Sequence, residues 1–170
     1  MSTQLNADQI KENFLYSLKV LGATVKTMGQ LAEDARNSEI RSIFERLGQA
    51  KRNVYWVKGV GLINVHVRRE SPGWWNVLKT VKDDFDTLRK ELNLKNYYIL
   101  LIGRNDKYIA DGYIATDFET PPFTIYPGAE TTKYTINEKQ HLNNSERLRS
   151  IEKIAKVLLG TGEAVTAPAF

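Results

Sequence analysis

The 170-residue sequence contains no cysteine. That excludes disulfides, thiolate nucleophiles and Cys-ligated zinc or iron–sulfur centres. Histidine occurs only as His66 and His141, so a multi-histidine metal site is excluded and a Ser-His-Asp triad would have to use one of these two. No run approaches the roughly 18 uninterrupted apolar residues of a membrane span, and no membrane partner is expected. Met1 to Asn6 are polar and lack a basic segment followed by an apolar core, so no signal peptide is expected and the cytoplasm is the expected compartment. Charge of one sign is also scarce: 24 Lys plus Arg against 20 Asp plus Glu leave a formal net charge of +4. So small a total names no partner, although it can conceal a local basic patch. What is present is apolar material, 42% of residues, with 10% aromatic, enough for the core of one domain.

The N-terminal third has helical periodicity. Asn6-Ala7-Asp8 offers a cap, and Ile10, Phe14, Leu18 and Leu21 follow at spacings of three and four. Val25, Met28, Leu31 and Ala35 continue the period, and Asn37-Ser38 caps a further helix through Ile40, Ile43, Phe44 and Leu47. Two or three helices are predicted over residues 7–50. The texture then becomes aromatic and β-branched. Val54 to Val57 and Leu62 to Arg69 flank a turn at Lys58-Gly59-Val60-Gly61. In the second strand Leu62, Asn64, His66 and Arg68 share one face, with Ile63, Val65 and Val67 on the other. Ser71-Pro72-Gly73 breaks it, and a long helix is predicted from Trp74-Trp75 through Val77, Val81, Phe85, Leu88 and Leu92. Tyr97 to Ile102 and Tyr108 to Ala115 predict a second hairpin around a loop of about five residues, with a bulge or tight bend at Asp111-Gly112. Residues 116–132 carry turn chemistry, Lys133 to Asn137 are a short strand, and Asn143-Asn144-Ser145 caps a last helix ending at Gly160.

This order predicts an α+β (or α/β) fold, a single mixed sheet packed with helices. The expected organisation is an N-terminal helical part over 1–52, a mixed core over 53–160 and a flexible tail over 161–170, with the first two forming one structural domain.

Nucleotide-phosphate motifs are missing, both G-x-G-x-x-G and G-x-x-x-x-G-K-[ST]. Gly59-Val60-Gly61 precedes a strand, so its amides would not meet a phosphate at a helix N-terminus. No G-x-S-x-G is present, His66 is expected to donate one structural hydrogen bond, and His141 lies in a polar turn. Asp83, Asp84 and Asp86 belong to a solvated helix face. Asp106, Asp111, Asp117 and Glu119 lie at strand ends, where carboxylates could converge on Mg²⁺ for hydrolysis.

The strongest signal is interleaved basic and aromatic residues. Lys51 and Arg52 end a helix, Arg68 and Arg69 end the next strand, Trp74 and Trp75 follow the break, and Arg104 and Lys107 sit at the second hairpin turn. Cations neutralise phosphates and flat rings stack on unpaired bases. Two adjacent tryptophans cannot both face a ligand, so one is expected to anchor its element to the sheet.

The segment from Ile63-Asn64-Val65-His66-Val67-Arg68 through Gly73-Trp74-Trp75 to Tyr98–Ile102 and Gly112-Tyr113-Ile114 resembles the core of restriction-endonuclease-like domains of the PD-(D/E)xK class in its order of hairpin, helix and strand pair. That family carries an (E/D)-x-K tripeptide on its catalytic strand after an upstream Asp. Here the matching tripeptide is His66-Val67-Arg68, which lacks the carboxylate and has Arg for Lys, and no Asp lies between Gly48 and Asp83. The resemblance therefore implies a binding role or a pseudo-enzyme. The leading expectation is nucleic-acid binding, with DNA as partner, in a restriction, defence or processing system and without a cofactor. The alternatives are a Mg²⁺-dependent nuclease using Asp106, Asp111, Asp117 or Glu119, and an interaction module forming a homo-oligomer through its N-terminal helices.

Overall fold

Capping chemistry sets the first helices. In α1 (Ala7–Val20) the Asn6 side chain accepts from the Gln9 N–H at 2.8 Å and Gln9 accepts from the Asn6 N–H at 2.9 Å, a reciprocal capping box. Thr27 and Gln30 repeat it at α2 (Met28–Asp34), and Asn37 caps α3 (Ser38–Leu47). The structure, a computed structural model, describes residues 6–49, 52–68, 74–104, 110–116, 123–125, 132–142 and 145–161. Between α1 and α2 the helical period does not persist. Val25–Thr27 forms a strand, β1, because Gly22 at φ 91° ends α1 in a left-handed cap and the next residues pair with the following hairpin. Leu21, predicted to face inward, lies at that cap and is exposed.

That hairpin is β2 (Val54–Val57) and β3 (Gly61–Arg68), turned by Gly59 and Gly61 with positive φ. The predicted helix at Trp74 begins later than expected. Trp74–Leu78 is a strand, β4, with Trp75 and Val77 buried in alternation, and α4 (Lys79–Glu91) follows it directly. β5 (Tyr98–Arg104) and β6 (Ala110–Ala115) form the second hairpin. Its register runs unbroken from Ile99↔Ala115 to Arg104↔Ala110, so Asp111-Gly112 is not a bulge. β7 (Phe123–Ile125), β8 (Thr132–Asn137) and α5 (Glu138–His141) come next. The last helix, α6 (Ile151–Thr161), starts later than the sequence suggests: Ser150 supplies a side-chain cap, accepting from the Lys153 N–H at 3.1 Å, while Asn143 and Asn144 of the expected cap lie outside the described residues.

The class is α+β. One five-stranded mixed sheet has the order β1-β2-β3-β5-β6, in which only β3 and β5 are parallel. The predicted single sheet is joined by a second, antiparallel sheet of order β4-β8-β7, which the β4 segment creates when it pairs with a strand about 60 residues downstream. α1 and α6 cover one face of the main sheet, burying Phe14, Leu18, Ile154 and Leu158 against Ile63, Val65, Leu100 and Ile102. α2, α3, α4 and the second sheet cover the other, around Leu62, Ile99, Leu101, Trp75, Phe85 and Phe44. Residues from 6–49 contribute to both cores, so the N-terminal helices are continuous with the mixed core. The tail beyond Thr161 lies outside the described residues. No helix among the described residues is long and apolar enough to cross a membrane.

The Asp83, Asp84, Asp86 cluster is spread along α4 and engaged by separate cations. Lys79 meets Asp83, Arg46 meets Asp84 at 2.8 Å, and Lys82 meets Asp86 at 2.8 Å. The Arg46 bridge ties α3 to α4.

Candidate functional site at the end of the parallel strand pair

In open sheets with parallel strands, ligand sites gather beyond the carboxyl ends of the strands. Here β3 and β5 end together at Arg68↔Gly103. The pleat places Asn64, His66 and Arg68 on the face turned toward the second sheet. Register then builds three rows across it: Asn64, Ile99, Ala115; His66, Leu101, Tyr113; and Arg68, Gly103, Asp111.

Arg68 stands at the mouth. Its guanidinium donates to the Trp74 carbonyl and lies 3.3 Å from the centroid of the Trp74 ring, a cation–π contact. Trp74 is half-buried under it. Trp75 points the other way and is buried. Its Nε1 donates to the Ile102 carbonyl at 3.1 Å, and its ring meets Tyr113 edge to face at 6.3 Å. A Cβ at residue 103 would stand 3.7 Å from this ring, in ordinary contact with it. Trp75 is thus the anchor of β4 and not a stacking platform, which corrects its assignment as a nucleic-acid contact.

Arg52 reaches the same end from another direction. The Val65 N–H donates to the Asn53 carbonyl at 2.9 Å, which sets Arg52 beside the last residues of β3. Arg104 is the last residue of β5, so its backbone also belongs to this end. Arg52, Arg68 and Trp74 therefore come to one end of the sheet, where the Arg104 backbone also ends, whereas Lys51, Arg69 and Lys107 lie outside the described residues.

Asp111 is no open metal ligand. It is buried, and both its oxygens accept from Arg147, at 3.0 Å each. Arg147 also contacts Glu138 at 3.5 Å, and the Tyr113 hydroxyl donates to Glu138 at 2.7 Å. Burial, then this bond to Glu138, pushes the Tyr113 hydroxyl up to about 12. The hydrogen bonds to Asp111 hold the Arg147 guanidinium above its already high range. Asp106, Asp117 and Glu119 lie outside the described residues, and no group of three His, Asp or Glu suited to a metal occurs among the described ones.

The expectation for His141 changes, and that for His66 narrows to its Nδ1. His141 ends α5 instead of lying in a turn, and its Nδ1 accepts from the Asn137 N–H at 2.8 Å. Among the described residues the buried Nε2 of His66 has no hydrogen-bond partner, and the same holds for both polar side-chain atoms of Asn64 below it. Burial pushes the His66 imidazole down from 6.5 to about 4. The folded state therefore holds a neutral ring where the unfolded chain takes up a proton. The stability this contributes is complete above pH 6.5 and is lost as pH falls toward 4, about 3 kcal/mol in all. His66→Gln should flatten this part of the profile, measured as urea midpoints across that window. A parent-to-variant difference that does not change with pH would contradict the burial of a neutral imidazole.

Asn64 had a sequence signal, a polar residue in an apolar strand. The Arg147 and Glu138 partners had none, because the contacts span 36 and 25 residues. Comparison with protein-family models, with curated proteins and with solved structures finds no match for the chain.

Proposed function

We propose that the chain is a cytoplasmic nucleic-acid-binding domain whose ligand is DNA and whose contact surface is the carboxyl end of the β3/β5 pair. One observation carries this reading: three segments distant in sequence deliver Arg52, Arg68 and Arg104 to one end of the sheet, where Arg68 rests on Trp74. Guanidinium groups neutralise phosphates, and the Arg68–Trp74 pair offers a flat, cationic surface to a base or sugar. Trp75 acts indirectly by fixing the strand that carries Trp74. Lys51, Arg69 and Lys107 lie within three residues of these positions in sequence.

The order β2–β3 hairpin, β4, α4, β5–β6 hairpin is what we set beside the restriction-endonuclease-like resemblance, with β4 as an added strand. The tripeptide position holds His66-Val67-Arg68, and Asp111 is held by Arg147. We therefore favour recognition over Mg²⁺-dependent cleavage, and place it in a restriction, defence or processing system.

Binding should fall steeply with salt, because each phosphate contact releases counterions. Titration of labelled duplex and single strands at several ionic strengths measures the slope. Arg68→Ala and Arg104→Ala should each reduce it by about 1, while Trp74→Ala should weaken binding with little change in slope. Absence of binding to either form of DNA at low salt removes the proposal, and divalent-ion-dependent cleavage would replace it with the nuclease alternative.

A further inference from the structure

Tyr16, Val20 and Leu21 are the exposed large apolar side chains among the described residues, at 68%, 65% and 42%. They do not scatter. All three lie in the second half of α1 and its cap, where they form one wall of a groove of about 410 Å³. The other wall is α6, through Ile151, Glu152 and Lys156. The opposite sides of both helices are saturated, with Phe14, Leu18, Ile154 and Leu158 fully buried. The outward apolar strip is therefore surplus to the core.

The charges beside it are informative. Glu152 and Lys156 are one helical turn apart in the orientation that favours an intrahelical pair. Among the described residues neither has an ion-pair partner, although Lys79–Asp83 and Lys82–Asp86 on α4 close at the same spacing. The face thus combines a cleft, a projecting aromatic ring, and one free charge of each sign. A neutral rim does not select a strongly acidic or basic partner. It suits a second copy of the same face, because opposite charges one turn apart on a helix can pair reciprocally when that helix meets its own copy antiparallel.

We propose that this α1/α6 face is a two-fold interface between two copies of the chain. Tyr16 of each copy fills the groove of the other, Val20 and Leu21 cover it, and two reciprocal Glu152–Lys156 pairs close the rim. The inference stands apart from the nucleic-acid surface, which lies at the end of the sheet and shares none of these residues.

Sedimentation equilibrium on the full chain over a concentration series tests it. The parent chain should dimerise, and Val20→Glu, at an exposed position, should be monomeric while remaining folded. Glu152→Lys alone and Lys156→Glu alone each place like charges across the axis twice and should weaken the dimer at least about tenfold. The double exchange Glu152→Lys with Lys156→Glu restores both pairs and should return the dissociation constant to near the parental value. A parent chain that stays monomeric at every concentration overturns the proposal. So does a dimer indifferent to Val20→Glu, or a double exchange as weak as the single ones.

Discussion

Gly112→Ala is expected to destabilise the protein by at least about 4 kcal/mol, a large share of the stability of a domain this size. The cause is the approach of two backbones. Gly112 faces Ile102 on β5, but sends both its hydrogen bonds outward, its N–H to the Leu148 carbonyl at 2.9 Å and its carbonyl to the Leu148 N–H at 2.7 Å. The Ile102–Gly112 pair is therefore of the narrow kind. A Cβ on Gly112 would overlap the Leu101 carbonyl oxygen and stand 2.9 Å from the Ile102 Cα. Both are main-chain atoms of a buried central strand and cannot turn aside as a flexible side chain would. Two other glycines calibrate the result. Gly103→Ala meets only the Trp75 ring at ordinary contact distance and should cost under about 1 kcal/mol, while Gly160→Ala, near the end of α6 with open space around it, should stabilise by about 0.5–1 kcal/mol. Urea midpoints with unchanged slopes give all three. A Gly112→Ala protein as stable as Gly103→Ala would show that β5 and β6 do not approach as described.

The glycine also marks how far local sequence carries. Gly112 within a strand signals something unusual, and a bulge is one solution. The other, a close approach of chains, depends on Leu148, 36 residues on. The same division runs through the fold. The α1 and α3 stripes and both hairpins are encoded in neighbouring residues, through the spacing of Ile10, Phe14 and Leu18 and the turn glycines at 59 and 61, and they form as the sequence predicts. β1 and β4 are decided elsewhere. Val25 and Met28 keep a helical spacing across what is a strand followed by a helix. Val77 satisfies both the strand period of β4, with Trp75, and the helical period of α4, with Val81 and Phe85. Only β2 and β8, which supply their pairing partners, separate the two periods.

The site divides in the same way. The row Asn64, His66, Arg68 follows from strand alternation alone, and the cations at 52, 68 and 104 are visible as punctuation at element ends. That these three chain segments end together depends on the parallel pairing of β3 with β5 across α4, which no local pattern specifies. The fate of the two tryptophans is likewise set by the second sheet: adjacent residues on a strand point to opposite faces, so one is anchored and the other lies beneath Arg68.

Arg147→Ala should cost about 3–5 kcal/mol, far more than Asp111→Ala, although the two residues form a single ion pair. The asymmetry comes from burial. The Asp111 side chain is 5% exposed and that of Arg147 36%. Removal of Arg147 leaves a carboxylate in the interior with neither of its 3.0 Å donors. Removal of Asp111 leaves a guanidinium that already reaches solvent and still has Glu138 beside it, so about 1–2 kcal/mol is expected. The double variant Asp111→Ala with Arg147→Ala should therefore be more stable than Arg147→Ala alone, a coupling that a double-mutant cycle in urea measures directly. Arg147→Lys keeps the charge but not the planar fork and should fall between parent and Ala. The loss should be local at first. Leu148 follows Arg147 and closes the outer edge of β6, so hydrogen exchange of the Gly112 and Leu148 amides should accelerate before that of β3 and β5. Equal costs for the two single variants, or unchanged exchange at Gly112, would sink the assignment of Asp111 as a structural anchor. On that assignment the carboxylate beside the cationic end is committed to holding β6 in place, and on the proposed nucleic-acid reading DNA binding per folded molecule should survive Asp111→Ala while Arg68→Ala weakens it.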